Sequence, residues 1–400
     1  MRIVCIFSPR EMWNNFKSRG VKISYLLVLL VADGLSQTSP TAQAPPTQIN
    51  PVVVTVSAEA IPLSASSASV TVLTKEFIEN SHAENVSDVL RQVPFLYLSQ
   101  TGGHTGLSTV TLRGGDPNFT LVMIDGIPVN DITNILGGSF DFSTLSTDNI
   151  EQIEIVRGPM SALYGSEGIG GVINIITQSG EDMPHFSLNG MFGNFSSGQA
   201  GFRTSAKKSW INYSLAGSYF NIDKQTENNE FSLGTLSFKS VAPLGQNNLL
   251  RLTTRYHDSH AEGFPENSGG PEFALIREPK VVNAEQLTLG LNYQQQVIPW
   301  WRYNLNFDLF SRQQESRTPS ILDTLPPSFQ AIPSVNSRST FRRLRLGFLN
   351  RLKINPALSV NLGVRTRNED GEDNSLIANQ FPSFFDLERQ TVATTGEIIY

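Results

Sequence analysis

Residues able to do chemistry are few and scattered in this 400-residue chain. Of the five histidines, His82, His104, His185, His257 and His260, only His257 and His260 are near neighbours, and their place beside a long polar stretch reads better as loop solvation than as a metal site. No G-x-S-x-G elbow, H-E-x-x-H pair or Cys/His cluster occurs, so the sequence gives no sign of an enzyme, a cofactor or a bound metal. The run "YGSEGIGGVINI" carries Gly165, Gly168, Gly170 and Gly171. It is not a phosphate loop, since it lacks G-x-x-x-x-G-K-[ST] and no amphipathic helix follows. Its glycines permit positive φ or a close backbone approach, as packing against a wall demands. Arg113 and Arg157, each followed by glycine, are candidates to pair with buried carboxylates, because a buried charge is tolerated only when paired; the alternative is a solvated turn charge.

Before these residues comes an export signal. Lys17, Arg19 and Lys22 precede the apolar run from Ile23 to Ala32, and Ala42-Gln43-Ala44 follows as a cleavage site. Ten apolar residues are too few to cross a bilayer core, which needs about twenty. Residues 1–44 are therefore read as a signal peptide. Removing them discards five basic and two acidic side chains, leaving 25 against 34 and a net charge of −9. An acidic chain argues against nucleic acid as a partner. The sole cysteine, Cys5, leaves with the leader, so neither disulfides nor a lipidated cysteine near the cleavage site are expected.

Composition shifts near residue 180. Before it, "TKEFIENSHAENVSDVLRQVP" reads as helical, with Ile78, Val86, Val89, Leu90 and Val93 on one side and Pro94 as the stop, among short apolar strands such as "TLVMIDG" and "IEQIEIVRG". After it the period is two. Tyr303, Leu305, Phe307 and Leu309 alternate with Arg302, Asn304, Asn306 and Asp308; Leu358, Val360, Leu362 and Val364 alternate with Ser359, Asn361, Gly363 and Arg365. About ten such strands are expected. Around Phe231 to Val241 the phase slips, as a bulge would make it.

The gaps alternate between short (near 207–210, 242–248, 297–300 and 355–357) and long (near 223–230, 258–284, 313–339 and 369–388). Tight turns on one side and long loops on the other mark an outer-membrane barrel; the alternative is an exported soluble all-β domain. The short turns then belong to the periplasm, and the preceding domain enters from that side. A unit of some 130 residues has a radius of gyration of about 14 Å and is roughly 35 Å across. Plugged lumens belong to barrels of about 22 strands, so ten strands read as part of a barrel in a chain cut short within an alternating run at Tyr400.

Three blocks in order, "VSDVLRQVPFLYLSQTGG", "TVTLRGGDPNFTLVMIDGIPVND" and "IEQIEIVRGPMSALYGSEGIGGVINIIT", resemble the TonB-dependent outer-membrane receptors, of the cobalamin and ferric-siderophore type. The resemblance implies an α/β plug domain over residues 63–180, then an antiparallel transmembrane β-barrel, partial here at 181–400. Residues 45–62 would be a periplasmic extension. In it, "PVVVTVSA" is similar to the family's TonB box, in which Val52, Val53, Val54, Thr55 and Val56 add as a strand to the energy-transducing TonB protein; the alternative is a first strand of the plug sheet. Arg113 and Arg157 would lock the plug to the barrel. Gln100, Thr101, His104 and Thr105, with Asn134, Ile135 and Leu136 in a second loop, would face the ligand, unless they are solvated loop residues. The function implied is active uptake of a scarce large chelate, cobalamin or a ferric siderophore, across the outer membrane. Arg343, Arg345, Arg351, Arg365 and Arg367 would line a basic lumen suited to an anion, or neutralise plug carboxylates. Outside that reading stand a passive pore or adhesin, a signalling receptor, and a non-functional truncated receptor.

Overall fold

A computed structural model of the chain describes residues 52–53, 55, 61–66, 68–83, 85–100, 106–134, 137–223, 229–266, 268–322 and 331–399. The signal peptide expected over residues 1–44 lies outside them.

The first strands, β1 (Val52–Val53) and β2 (Ile61–Pro62), form a two-residue ladder of their own. The plug that follows is built on a mixed five-stranded sheet. Its strands are β3 (Ser69–Thr74), β6 (Thr120–Ile124), β7 (Ile127–Pro128), β8 (Ile150–Arg157) and β9 (Gly171–Thr177), in the order β3-β8-β9-β6-β7. A hairpin of β4 (Leu96–Gln100) and β5 (Ser108–Leu112) stands beside it. Both faces of the sheet are covered, which is why β6 and β9 read as nearly continuous apolar runs. Ile153, Ile155, Ile173 and Ile175 join one buried cluster, while Leu121, Met123, Val156 and Val172 fill another.

The helical segment is broken in two. Thr74 caps Lys75–Asn80 and Asn85 caps Val86–Leu90, each side chain accepting a backbone N–H, at 3.4 Å from Phe77 and 3.0 Å from Asp88. Between them His82 takes a φ of +50°, which no helix allows. Ile78, Val86, Val89, Leu90 and Val93 are nonetheless all buried in the first cluster.

From residue 185 the chain runs up and down. The strands are β10 (His185–Phe192), β11 (Gly198–Lys208), β12 (Ile211–Asp223), β13 (Glu230–Pro243), β14 (Asn248–Gly263), β15 (Lys280–Ile298) and β16 (Trp301–Thr318). A small hairpin of β17 (Ile321–Leu322) and β18 (Ala331–Ile332) precedes β19 (Val335–Lys353), β20 (Ser359–Ile377) and β21 (Phe381–Ile399). Except for the β17–β18 pair, these make one antiparallel sheet of ten strands, each bonded to its sequence neighbours. The sheet is open: β10 and β21 are its edges.

Alternation sorts the two faces. Leu236, Tyr256, Leu291, Leu305, Leu346 and Leu362 stand exposed on the outside, the apolar band that lipid requires. Their neighbours in sequence point inward at the plug. The turn at 354–358 is tight because Asn355 accepts from the backbone N–H of Ala357 and Leu358, at 2.9 and 2.8 Å.

Three expectations need correction. The expected loop at 369–388 is strand: β20 and β21 meet in a tight turn where Ala378 and Asn379 take φ of +53° and +55°, as a two-residue hairpin requires. β13 carries no register shift. Its hydropathy changes phase because the inward residues Phe231 and Leu233 are apolar and pack with Phe220 and Ala261, whereas Ser237, also inward, is polar. His257 and His260 lie within β14, not in a loop, and three residues apart on a strand they face opposite sides, so they cannot share an ion.

Candidate functional site

Thr55 is the buried anchor of the "PVVVTVSA" stretch. Its hydroxyl donates to the Glu154 carboxylate and accepts from the Asn174 amide at 3.1 Å; its carbonyl accepts from the Tyr164 hydroxyl at 2.9 Å. Glu154 and Asn174 face each other across β8 and β9, polar side chains in an otherwise apolar sheet interior. Burial pushes the Tyr164 phenol up to about 12. Val52 and Val53 form β1, which is not a strand of the plug sheet; Val54 and Val56 lie outside the described residues.

The plug is tied to the wall by ions and carbonyls. Lys239 pairs with Asp125 at 2.7 Å and Arg312 with Asp131 at 2.8 Å. Arg345 donates to the Gly126 carbonyl at 2.8 Å and Arg365 to that of Leu163 at 3.1 Å. Glu167 is the centre of the densest group. Arg367, Arg389 and Arg343 approach it at 2.8, 3.4 and 3.7 Å, and Glu369 balances them, with Arg343 at 2.6 Å. Arg343 and Glu369 are almost fully buried.

The two arginines expected to lock the plug do something else among the described residues. Arg157 ends β8 and donates to the Pro94 carbonyl of the plug itself at 3.1 Å. Burial, and then the charge of Arg113, lowers its pKa. Arg113 lies at a turn with φ of +53°. The lock seen here runs the other way, with cations on the wall and carboxylates on the plug. The basic character of β19 and β20 was visible in the sequence; the single Glu167 within a glycine run gave no sign of its role.

The glycines also turn inward. Gly165 and Gly171 take φ of +84° and +148°. A Cβ on Gly171 would lie 2.3 Å from the Val156 carbonyl oxygen, and one on Gly170 would lie 3.1 Å from that of Phe119. The close approach is therefore to the plug's own backbone, not to a barrel wall. Gly168 meets only ordinary contacts.

Two of the cavities between plug and wall bear on the site. The outer one, about 730 Å³, opens toward the long-loop side. It holds Asn134, whose amide donates to the Ser139 carbonyl at 2.5 Å, together with Asp131, Asp141, His257 and Arg312. Burial raises the pKa of Asp141. Gln100 sits elsewhere, accepting from Arg91 beside a small separate pocket. Thr101, His104, Thr105, Ile135 and Leu136 lie outside the described residues. The inner cavity, about 770 Å³, lies toward the short turns and includes Tyr164 and Asn174, two of the partners of Thr55.

Residues 62–172 match the family described as TonB-dependent Receptor Plug Domain. A stretch of 130 residues, 32% of this chain and 21% of the relative, is 40% identical to the vitamin B12 transporter BtuB of Vibrio vulnificus (strain CMCP6). Among solved structures, the ferripyoverdine receptor of the outer membrane of Pseudomonas aeruginosa superposes with a TM-score of 0.70 at 15% identity, over 86% of this chain and 51% of that one. The ferric citrate transporter FecA in unliganded form gives 0.67 at 17%, over 84% and 54%. Such identities speak for the fold alone. The chain spans about half the length of these solved receptors.

Proposed function

We propose that this chain serves TonB-dependent uptake of a large chelate across the outer membrane, because residues 62–172 match the TonB-dependent receptor plug domain and an up-and-down antiparallel sheet follows them. The observation that carries the reading is the Thr55 anchorage. A strand-forming stretch outside the plug sheet is held by three polar side chains, two of which line the cavity on the short-turn side. That side is read as periplasmic. An extended segment held by a few hydrogen bonds can be taken up at the edge of another protein's sheet, where main-chain bonds supply the affinity. The partner is the TonB energy-transducing protein.

The ligand is a cobalamin or a ferric siderophore, as the relatives' names suggest, and the outer cavity is the place for it. Plug carboxylates held by wall cations argue against a passive pore, whose lumen would need to stand open.

Val54→Pro in the whole receptor tests the coupling. Proline removes a backbone donor and does not fit mid-strand, so energised uptake should be lost while ligand binding at the surface persists. Uptake unchanged at normal receptor level would sink the assignment. Growth on limiting cobalamin and on limiting iron after deletion of the gene separates the two ligands, and loss of neither removes both.

A further inference from the structure

Gln286, on the inward face of β15, is only 4% exposed, yet its side-chain Nε2 has no hydrogen-bond partner among the described residues. A buried donor left without an acceptor is costly, which marks a place where a ligand's acceptor can go. Its neighbours are donors too. Gln286 stands opposite His257 on β14 and Arg312 on β16, and all three line the outer cavity. Opposite residues hold their Cβ atoms about 5 Å apart, so the three side chains form one row.

The protons of that row can be placed. Arg255 donates to His257 Nδ1 at 2.7 Å, and because a guanidinium has no acceptor, that nitrogen must accept. The neutral ring then carries its proton on Nε2. A protonated ring nitrogen cannot ligate a metal, so the metal of a chelate is not what His257 meets. Arg255 bonds only neutral groups among the described residues, this ring and the Thr144 carbonyl of the plug at 3.2 Å. Its charge polarises the imidazole and strengthens the Nε2–H as a donor. Arg312 is already taken, by Asp131 at 2.8 Å and by Gln314. The row therefore offers two adjacent N–H donors, from His257 and Gln286.

We propose that His257 and Gln286 form a subsite for an acceptor oxygen on the periphery of the transported chelate, whether of a carbonyl, an amide or a carboxylate. The inference rests on the uptake reading and names the chemistry of its site. A cationic or apolar ligand edge would leave both donors unpaired, so oxygen-rich chelates are selected over those without such groups.

Equilibrium dialysis of the whole receptor in detergent micelles tests it, with cyanocobalamin and separately with ferric citrate, a ferric trihydroxamate and a ferric tricatecholate. The probe that binds fixes the source of the oxygen. Gln286→Leu should weaken that binding about tenfold, the loss of one hydrogen bond. It should not lower the thermal midpoint of the empty receptor, since the donor it removes has no partner there. A residue serving the fold alone would do the reverse. His257→Gln keeps an acceptor for Arg255 and a donor for the ligand and should bind nearly as the unchanged receptor does, whereas His257→Phe should bind about tenfold more weakly. If His257→Phe, which takes a partner from Arg255, fails to fold, Gln286→Leu decides alone. Binding indifferent to Gln286→Leu overturns the subsite and leaves the uptake reading standing. No saturable binding of any probe by the unchanged receptor overturns both.

Discussion

Thr55 reaches its partners through two different groups, and that decides what each substitution does. Thr55→Val keeps the carbonyl that Tyr164 binds but removes the hydroxyl that Glu154 and Asn174 share. Taking one partner from buried polar groups costs about 1 to 3 kcal/mol, so the stretch should loosen and limited proteolysis near it should speed up about tenfold or more. Tyr164→Phe loses one neutral bond, about 1 kcal/mol, and should loosen it less. The Tyr164 phenol also gives a pH signature. Burial raises its pKa to about 12, so the folded state holds this proton where the unfolded chain, with a pKa near 10, does not. The contribution is fully present below pH 10 and is lost as pH rises toward about 12, amounting to about 2 to 3 kcal/mol. The check is tyrosinate absorbance: Tyr164→Phe should delete a step near pH 12 and leave the rest of the titration unchanged.

At the scale of elements, the segment from Ser161 to Gly168 joins the two ends of the mechanism. Its Tyr164 holds the Thr55 stretch, and its Leu163 carbonyl and Glu167 are gripped by Arg365, Arg367, Arg343 and Arg389 of the wall. Glu167→Gln leaves Arg343, Arg367 and Arg389 with Glu369 as their shared carboxylate. Breaking a buried pair costs about 3 to 5 kcal/mol, and the half-exposed Arg389 places this case at the low end. Planar-bilayer conductance of the whole receptor should rise while the amount of folded barrel stays constant; no rise would deny Glu167 its role as a lock. Gly171→Ala is a harsher test of the plug, since its Cβ would meet the Val156 carbonyl at 2.3 Å with φ at +148°, and plug unfolding should precede any change in the barrel. These contacts were legible only in part. The alternation in β16 and β20 put Arg302 and Arg365 on the polar, inward face because period two is written in the side chains themselves. Arg113 and Arg157 misled because an arginine before a glycine fits a solvated turn as well as a buried ion pair, and here Arg113 is exposed and Arg157 half-buried. The polar stretch "NEDGEDNS" read as loop because hydropathy loses its signal where the outward residues meet water and a buried inward one, Glu369, is itself charged; 19 residues at about 3.4 Å each reach far past a bilayer core of about 30 Å.

At the largest scale, the described residues from 61 on form an open sheet beside a plug that touches only part of it. β10 is exposed along nearly all its length, while β21 is exposed on its outward face and half-buried at most of its inward residues, where Arg389 reaches Glu167 of the plug. Each also pairs on one side only, leaving a row of backbone N–H and C=O groups. Lipid offers such groups no partner, and each costs several kcal/mol when left unsatisfied there. Water or another strand must supply the bonds. Ten strands are also too few to close around this plug, because a lumen wide enough to hold one belongs to barrels of about 22 strands. The 400-residue chain produced by itself should therefore seek edge partners, forming sheet-to-sheet oligomers or aggregates in preference to a sealed monomer. On a denaturing gel it should show no heat-modifiable monomer, and protease should cut the β10 and β21 edges before the β14 to β16 centre. A protease-resistant, heat-modifiable monomer in outer membranes would show instead that the two edges can meet, and that the plug is held outside the lumen.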